Sequence, residues 1–146
     1  MILTQGGREA KLVMLGSTTV GKSSIVTRLT RDTFNPESPS TIGAAFLSKS
    51  VQVGDEMMKL QIWDTGGSER YRAMAPMYFQ NAEAALIVYD ITAKESFKDV
   101  EYWLKDLREK GPENIIIALA GNKCDLPQRN VSTETAREYA TKNNIP

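Results

Sequence analysis

The chain has 146 residues, of which 41% are hydrophobic and 25% charged, as is ordinary for one globular domain with a sizeable core. Its 18 basic and 18 acidic residues leave no net charge, so nonspecific binding to nucleic acid has no electrostatic support. Histidine is absent and Cys124 is the only cysteine, which excludes histidine-based catalysis and an intrachain disulfide and fits a reducing compartment.

Short apolar runs predict the strands of a sheet. They lie at residues 12–15, 60–63, 84–89 and 115–120. The last two are nearly continuous, as expected for parallel strands buried on both faces. In residues 46–53 apolar and polar residues alternate more regularly, and a turn at Gly54-Asp55 leads into residues 58–63. This pattern predicts one antiparallel edge hairpin. None of these runs is long enough to span a membrane, and the first residues lack the pattern of a secretory signal.

Helical patterns separate the strands. They lie at residues 24–30, at the apolar positions between 97 and 107, and after a good N-cap at Ser132. This alternation predicts an α/β fold with a doubly wound, mostly parallel sheet and one antiparallel edge hairpin. Such sheets bind ligands at the carboxyl ends of their strands. We expect residues 10–146 to form this domain and residues 1–9 to be an N-terminal extension.

The segment from Gly16 to Ser23 fits the phosphate-loop pattern G-x-x-x-x-G-K-[ST] and lies between a predicted strand and a predicted helix. Backbone N–H groups of such a loop close around phosphate oxygens, and the helix N-terminus adds partial positive charge. Lys22 would reach the β- and γ-phosphates, and the Ser23 hydroxyl would help to hold Mg²⁺. The alternative is an ordinary strand–helix turn with an incidental lysine. The residues predicted to contact the nucleotide here are Ser17, Thr18, Thr19, Val20, Gly21, Lys22, Ser23 and Ser24.

A second segment, Asp64-Thr-Gly-Gly67, also follows an apolar run. Asp64 would hold Mg²⁺ through water opposite Ser23, and the N–H of Gly67 would approach a γ-phosphate closely. Taken alone, this segment is better explained as a simple turn. The upstream phosphate loop favours the magnesium role.

The third segment, Asn122-Lys-Cys-Asp125, follows the last apolar run. Guanine presents two adjacent donors that one carboxylate, Asp125, would accept, whereas adenine would leave that carboxylate unpaired. Asn122 would brace the neighbouring loops, and the stem of Lys123 would lie along the base. An N-K-x-D string alone is a weak signal, and its position after a strand and a phosphate loop makes it a strong one.

A fourth segment contains Thr41, in a stretch rich in Ser, Pro and Thr that predicts a loop. Its hydroxyl would join the Mg²⁺ shell when a γ-phosphate is present. An ordinary polar loop threonine explains the residue equally well on physical grounds alone.

Together these segments resemble the Ras-like small GTPases, and more finely the Rab family. The stretches with this resemblance are Ile42–Phe46, Leu60–Thr65, Glu69–Arg72 and Ile87–Thr92. Ser40–Phe46 and Ala75–Tyr78 are most similar to the early-endosomal subgroup. The resemblance begins near Ala10 and covers essentially the rest of the chain.

The resemblance implies further roles. Phe34 would stack on the guanine, and Thr41 and Gly67 would be the two γ-phosphate contacts of switch loops at 35–46 and 66–80. Phe46, Trp63 and Tyr78 match an aromatic triad that Rab proteins present to effectors, although ordinary packing would also explain them. Exchange factors and activating proteins would bind the same loops, and the protein would act as a monomer.

The family usually has glutamine where this chain has Ser68, and that glutamine orients the attacking water. Serine is too short for this task, so the sequence predicts weak intrinsic GTP hydrolysis, with Lys22, Thr41, Gly67 and Ser68 as the catalytic positions. The leading hypothesis is a GTP-hydrolysing switch of membrane traffic. One alternative to it is a GTP-binding effector platform that barely hydrolyses GTP. An ATP-using phosphate-loop enzyme is the other, and the segment 122–125 argues against it.

The resemblance also predicts a final strand, a third guanine-contact loop, a last helix and a cysteine-bearing tail after Pro146, so we expect the fold to lack its last strand and helix. Membrane binding would need that lipidated tail. The implied location is the cytoplasm, with cycling to the cytosolic face of endosomal membranes.

Overall fold

A computed structural model describes residues 8–37, 44–67 and 69–146. The strands within these ranges are β1 (Arg8–Leu15), β2 (Ala44–Val53), β3 (Glu56–Thr65), β4 (Ala84–Asp90) and β5 (Ile116–Asn122). The helices are α1 (Lys22–Arg31), α2 (Glu69–Arg72), α3 (Ala75–Phe79), α4 (Lys94–Lys110) and α5 (Thr133–Lys142).

The strands form one sheet in the order β2-β3-β1-β4-β5. β1 lies between β3 and β4 and is parallel to both, and β4 is parallel to β5. β2 is antiparallel to β3 and joins it through a turn in which Gly54 has a φ of 63°. The predicted fold class, a mostly parallel sheet with one antiparallel hairpin, is confirmed. β1 includes Arg8 and Glu9, which the sequence assigned to the extension.

The sheet has an apolar core on each face, and strand alternation divides the side chains between them. In β4, Ile87 packs in the cluster with Trp103, Leu107 and Phe79, whereas its neighbour Val88 packs in the other cluster. The apolar run of β4 is continuous because both of its faces are covered. Full burial of each large apolar side chain contributes about 1.5–3 kcal/mol to stability.

Two predicted helices are confirmed in detail. Val100, Leu104 and Leu107 form the buried stripe of α4. α5 begins after Ser132, whose hydroxyl oxygen accepts a hydrogen bond from the N–H of Thr135 at 3.1 Å. This is the N-cap bond that satisfies one of the unpaired donors at a helix start.

Between residues 69 and 80 the structure is more helical than the loop that the sequence predicted. It contains α2, of four residues, and α3, of five residues, the latter with a proline in its first turn. Neither helix is long enough to produce a recognisable hydrophobic period. Proline favours the first turn of a helix because its missing N–H has no partner there.

Because they are parallel, β1, β3, β4 and β5 all have their carboxyl ends at the same end of the sheet. Three of these ends lead into the predicted segments at 16–23, 64–67 and 122–125. The fold therefore places the three segments side by side.

Candidate nucleotide-binding site

The phosphate loop is the turn between β1 and α1. Gly21 is the N-cap of α1 and has a left-handed φ of 99°. A Cβ on Gly21 would lie 2.2 Å from Nδ2 of Asn122, and the left-handed φ would strain any larger residue there. The phosphate loop at Gly21 therefore lies directly beside the Asn122 side chain.

Lys22 lies under this loop and is only 5% exposed. Its ammonium group donates to the carbonyls of Gly16 at 2.8 Å and Ser17 at 2.9 Å. Burial lowers the pKa of Lys22 to about 8, and the nearby Asp64 carboxylate opposes this shift. The lysine is thus held by carbonyl oxygens at the place where the sequence predicts phosphate oxygens.

Ser23 and Asp64 meet across the loop. The Ser23 hydroxyl donates a hydrogen bond to Oδ2 of Asp64, which is 2% exposed at the end of β3. A hydroxyl and a carboxylate are the hard oxygen donors that Mg²⁺ prefers. Within the described ranges no three His, Cys, Asp or Glu side chains cluster as a metal site. The two residues therefore fit a magnesium ion that takes its other ligands from phosphate and water.

Gly67 lies directly against the phosphate loop. A Cβ at this position would lie 2.3 Å from the carbonyl oxygen of Gly16 and 2.5 Å from the Ser17 carbonyl carbon and the Thr18 nitrogen. All three neighbours are backbone atoms, which cannot swing aside as a side chain can. Glycine is therefore required here by packing, directly beside the predicted phosphate loop.

The 122–125 segment is tied to the phosphate loop by two hydrogen bonds. Nδ2 of Asn122 donates to the carbonyl of Val20 at 2.9 Å, and the ammonium of Lys123 donates to the carbonyl of Thr19 at 2.8 Å. Asp125 is exposed, and so is Phe34, at 61%. The hydrogen bond from Asn122 to Val20 supports the predicted bracing role of Asn122. Asp125 and Phe34 are both accessible to a nucleotide base.

Asp90, at the end of β4, is a residue of this site that the sequence reasoning missed. One carboxylate oxygen lies 2.9 Å from the Lys123 ammonium, and the other accepts from the N–H and the hydroxyl of Thr92 at 2.8 and 2.7 Å. Burial acts to raise the pKa of Asp90, but the hydrogen bonds from Thr92 and Lys123 outweigh it and lower the pKa. A carboxylate ending a continuous apolar strand was the signal that could have revealed it.

The other predicted residues divide into three groups. Val20 is buried, Ser24 is half-buried, and Thr18 and Thr19 are exposed at the mouth of the loop. The Ser17 hydroxyl turns away from the loop and donates to Asp99 of α4. Thr41 and Ser68 lie outside the described residues.

The three aromatic residues singled out in the sequence form one cluster on the sheet. The ring of Trp63 lies 5.0 Å from Phe46 and 5.4 Å from Tyr78, between ring centroids. Phe46 is 51% exposed, and the Lys11 ammonium lies 5.4 Å from the Trp63 ring. A half-exposed aromatic surface of this kind is typical of the centre of a protein interface.

Comparison with known proteins gives concordant matches. The model described as "Ras family" matches residues 11–146. "Ras-related protein Rab-22A" of Homo sapiens is 53% identical over 134 residues, which are 91% of this chain and 69% of that protein. "Ras-related protein Rab-31" of Rattus norvegicus is 52% identical with the same coverage. "Ras-related protein Rab-5A" of Dictyostelium discoideum is 50% identical over 136 residues, 92% of this chain and 68% of that protein.

Proposed function

The chain belongs to the Ras family, and from this membership we propose that it is a guanine-nucleotide switch of vesicle traffic that binds GTP and GDP with Mg²⁺. One observation supports this proposal most strongly. The hydrogen bonds from Asn122 to Val20 and from Lys123 to Thr19 join the base-recognition segment to the phosphate loop. A single nucleotide would span the two.

Each part of the site has a task in this proposal. Lys22 exchanges its two carbonyl partners for β- and γ-phosphate oxygens, and the loop N–H groups from Ser17 to Ser24 surround the phosphates. Ser23, Asp64 and Thr41 would hold a magnesium ion, which would neutralise charge on the phosphates. Asp125 accepts from the two guanine donors, and Phe34 stacks on the base.

Switching depends on contacts that only GTP provides. The N–H of Gly67 and the hydroxyl of Thr41 bind the γ-phosphate, ordering residues 35–46 and 66–80. Exchange factors, activating proteins and effectors would bind these segments, with Phe46, Trp63 and Tyr78 as the effector surface. We propose that the predicted domain, residues 10–146 together with Arg8 and Glu9 at the start of β1, acts as a monomeric GTP-binding domain.

The place of action follows from the Rab relatives. We propose that the protein is cytoplasmic and cycles to the cytosolic face of endosomal membranes. Within the described ranges, no helix has the length and apolar character needed to cross a membrane. Lipidation of a C-terminal tail would provide the attachment.

Ser68 bears on the rate of hydrolysis. Without a glutamine side chain to orient water, GTP cleavage by the protein alone should be slow, and an activating protein that supplies an arginine and a glutamine would restore it. Single-turnover hydrolysis of GTP by the protein and by Ser68→Gln tests this. The substitution should raise the rate, and equal rates would overturn the assignment.

The second candidate, an effector platform that barely hydrolyses GTP, is favoured by Ser68 alone. Hydrolysis should be measured with and without an activating protein of the Rab class. Acceleration by that protein supports the switch. An unchanged slow rate supports the platform.

A further inference from the structure

A side chain outside the predicted nucleotide contacts connects the phosphate loop to the segment after β3. Asp99, on α4, accepts hydrogen bonds at one oxygen, Oδ2, from the Ser17 hydroxyl at 2.5 Å and from Nη2 of Arg72 at 3.1 Å. Ser17 belongs to the phosphate loop and Arg72 ends α2. One carboxylate oxygen thus joins two parts of the site that are far apart in sequence.

The side chain of Arg72, which ends α2, packs against two aromatic rings of α4. Its guanidinium carbon lies 4.9 Å from the ring centre of Tyr102 and 5.4 Å from that of Trp103, within cation–π range. Its side chain is only 21% exposed, and the Asp99 side chain 36%. A planar guanidinium that is both stacked and ion-paired has little freedom to move, so its position follows that of α4.

Gly67 links Arg72 back to the phosphate loop. Nε of Arg72 donates a long hydrogen bond, 3.4 Å, to the carbonyl of Gly67. Gly67 in turn packs against the backbone of Gly16 and Ser17 without space for a Cβ. Ser17, Asp99, Arg72 and Gly67 therefore form a closed ring of contacts, which we call the Asp99 ring.

We propose that Asp99 is a positioning residue that sets the preference of the site for GTP over GDP by holding Gly67 against the phosphate loop. The proposal rests on the proposed function, in which the N–H of Gly67 meets the γ-phosphate. GDP has no γ-phosphate, so its binding does not depend on where Gly67 lies. Opening the Asp99 ring should therefore weaken GTP binding selectively.

The competing explanation is that Asp99 only stabilises the fold as an ion pair between α4 and α2. That role would lower stability without changing the relative affinity for the two nucleotides. The ratio of the two affinities is therefore the informative quantity.

The test uses Asp99→Asn, which keeps the size of the side chain and removes its charge. Glu95→Gln is the matched control, because Glu95 lies on the same helix and pairs with Lys98 at 3.2 Å in an exposed position. Dissociation constants for GDP and for a non-hydrolysable GTP analogue are measured with excess Mg²⁺, together with the urea midpoint of each variant. Asp99→Asn should reduce the preference for the analogue about fivefold, as expected for a partly exposed charged hydrogen bond, and Glu95→Gln should leave it unchanged.

A second variant covers the case in which Asp99→Asn fails to fold. Arg72→Met keeps an extended stem against Tyr102 and Trp103 but removes the donors to Asp99 and Gly67, and it should shift the preference in the same direction. Equal weakening of both nucleotides, or a preference unchanged in the folded variants, would overturn the role of Asp99. Failure of the unmodified protein to bind GDP would instead refute the proposed function.

Discussion

The ammonium group of Lys123 lies 2.9 Å from a carboxylate oxygen of Asp90 and 2.8 Å from the carbonyl oxygen of Thr19. One cation thus connects the end of β4, the segment after β5 and the phosphate loop. Asp90 is 7% exposed, so little solvent weakens its attraction for the ammonium. The parts of the site that would hold the base and the phosphates are therefore fixed relative to one another before a nucleotide arrives.

Replacing Asp90 with Asn should loosen this connection. The variant loses a charged hydrogen bond, which typically contributes about 1.5–3 kcal/mol, and Lys123 loses its counter-charge. We expect the free energy of unfolding to fall by about 2 kcal/mol and GDP to dissociate about tenfold faster. Stopped-flow release of a fluorescent GDP analogue measures the second effect. The exposed Glu113→Gln is the control and should match the unmodified protein.

Acid should remove the contribution of Asp90. Its folded-state pKa lies below 3.8, so the folded state binds fewer protons than the unfolded state as pH falls. The stabilisation is complete above the unfolded pKa and is lost as pH falls through the folded pKa. Urea midpoints of the protein and of Asp90→Asn should therefore converge as pH falls from about 5 through the folded-state pKa. A constant gap across this range would contradict the assigned shift.

Lys22 should make nucleotide binding depend on pH on the alkaline side. Its pKa of about 8 lies below the ordinary 10.5, so the unfolded state binds more protons and the nucleotide-free protein gains stability as pH rises between these values. Phosphate favours the charged lysine, so GDP binding should take up a proton and weaken as pH rises above 8. Lys22→Arg, which stays charged, should bind GDP with a flatter profile between pH 7 and about 9.5. Calorimetry in buffers of different ionisation enthalpy detects the proton.

Gly67→Ala should lower the affinity for GTP much more than the affinity for GDP. The added methyl group would overlap the backbone of Gly16 and Ser17, so Gly67 must move away from the phosphate loop. We expect affinity for a GTP analogue to fall at least tenfold, about 1.4 kcal/mol, while GDP affinity changes little. Gly54→Asn is the control, because its position has open space and asparagine tolerates a positive φ. Equal loss of both nucleotides would show that Gly67 supports the loop itself.

Asp125→Asn should change the base that is bound. Asparagine keeps one acceptor oxygen but presents an NH₂ donor in place of the other, so one of the two guanine donors faces a donor instead of an acceptor. Xanthine has a carbonyl in place of the guanine amine, and the variant should prefer xanthosine diphosphate to GDP by at least tenfold. Competition against a fluorescent nucleotide measures this preference. Unchanged preference for GDP would mean that Asp125 does not contact the base.

Most of the fold follows from local patterns. The continuous apolar run of β4 predicts burial on both faces, and Ser132 predicts the start of α5, because both signals depend on short stretches of chain. α2 and α3 escape prediction because their four and five residues are too few for a period. Residues of the same segment contact the phosphate loop through Gly67 and α4 through Arg72, and these long-range contacts leave no pattern in the local sequence.

Some residues of the candidate site could likewise be predicted from local sequence motifs, and others could not. Lys22, Asp64, Gly67 and Asn122 belong to contiguous motifs, so their spacing reveals them. Asp90 and Asp99 act through partners 33 and 82 residues away in sequence, Lys123 and Ser17, and only the packing of the sheet brings these pairs together. A single sequence contains no signal for such pairs beyond an unusual charge at a strand end.

The central claim is that the site binds a guanine nucleotide, and its most direct test is the competition of GDP and ADP for the unmodified protein in the presence of Mg²⁺. We predict that GDP displaces a fluorescent guanine nucleotide at least a hundredfold more effectively than ADP, because adenine leaves the Asp125 carboxylate without a donor. Equal or tighter binding of ADP would contradict the assignment of Asp125 and, with it, the proposed switch.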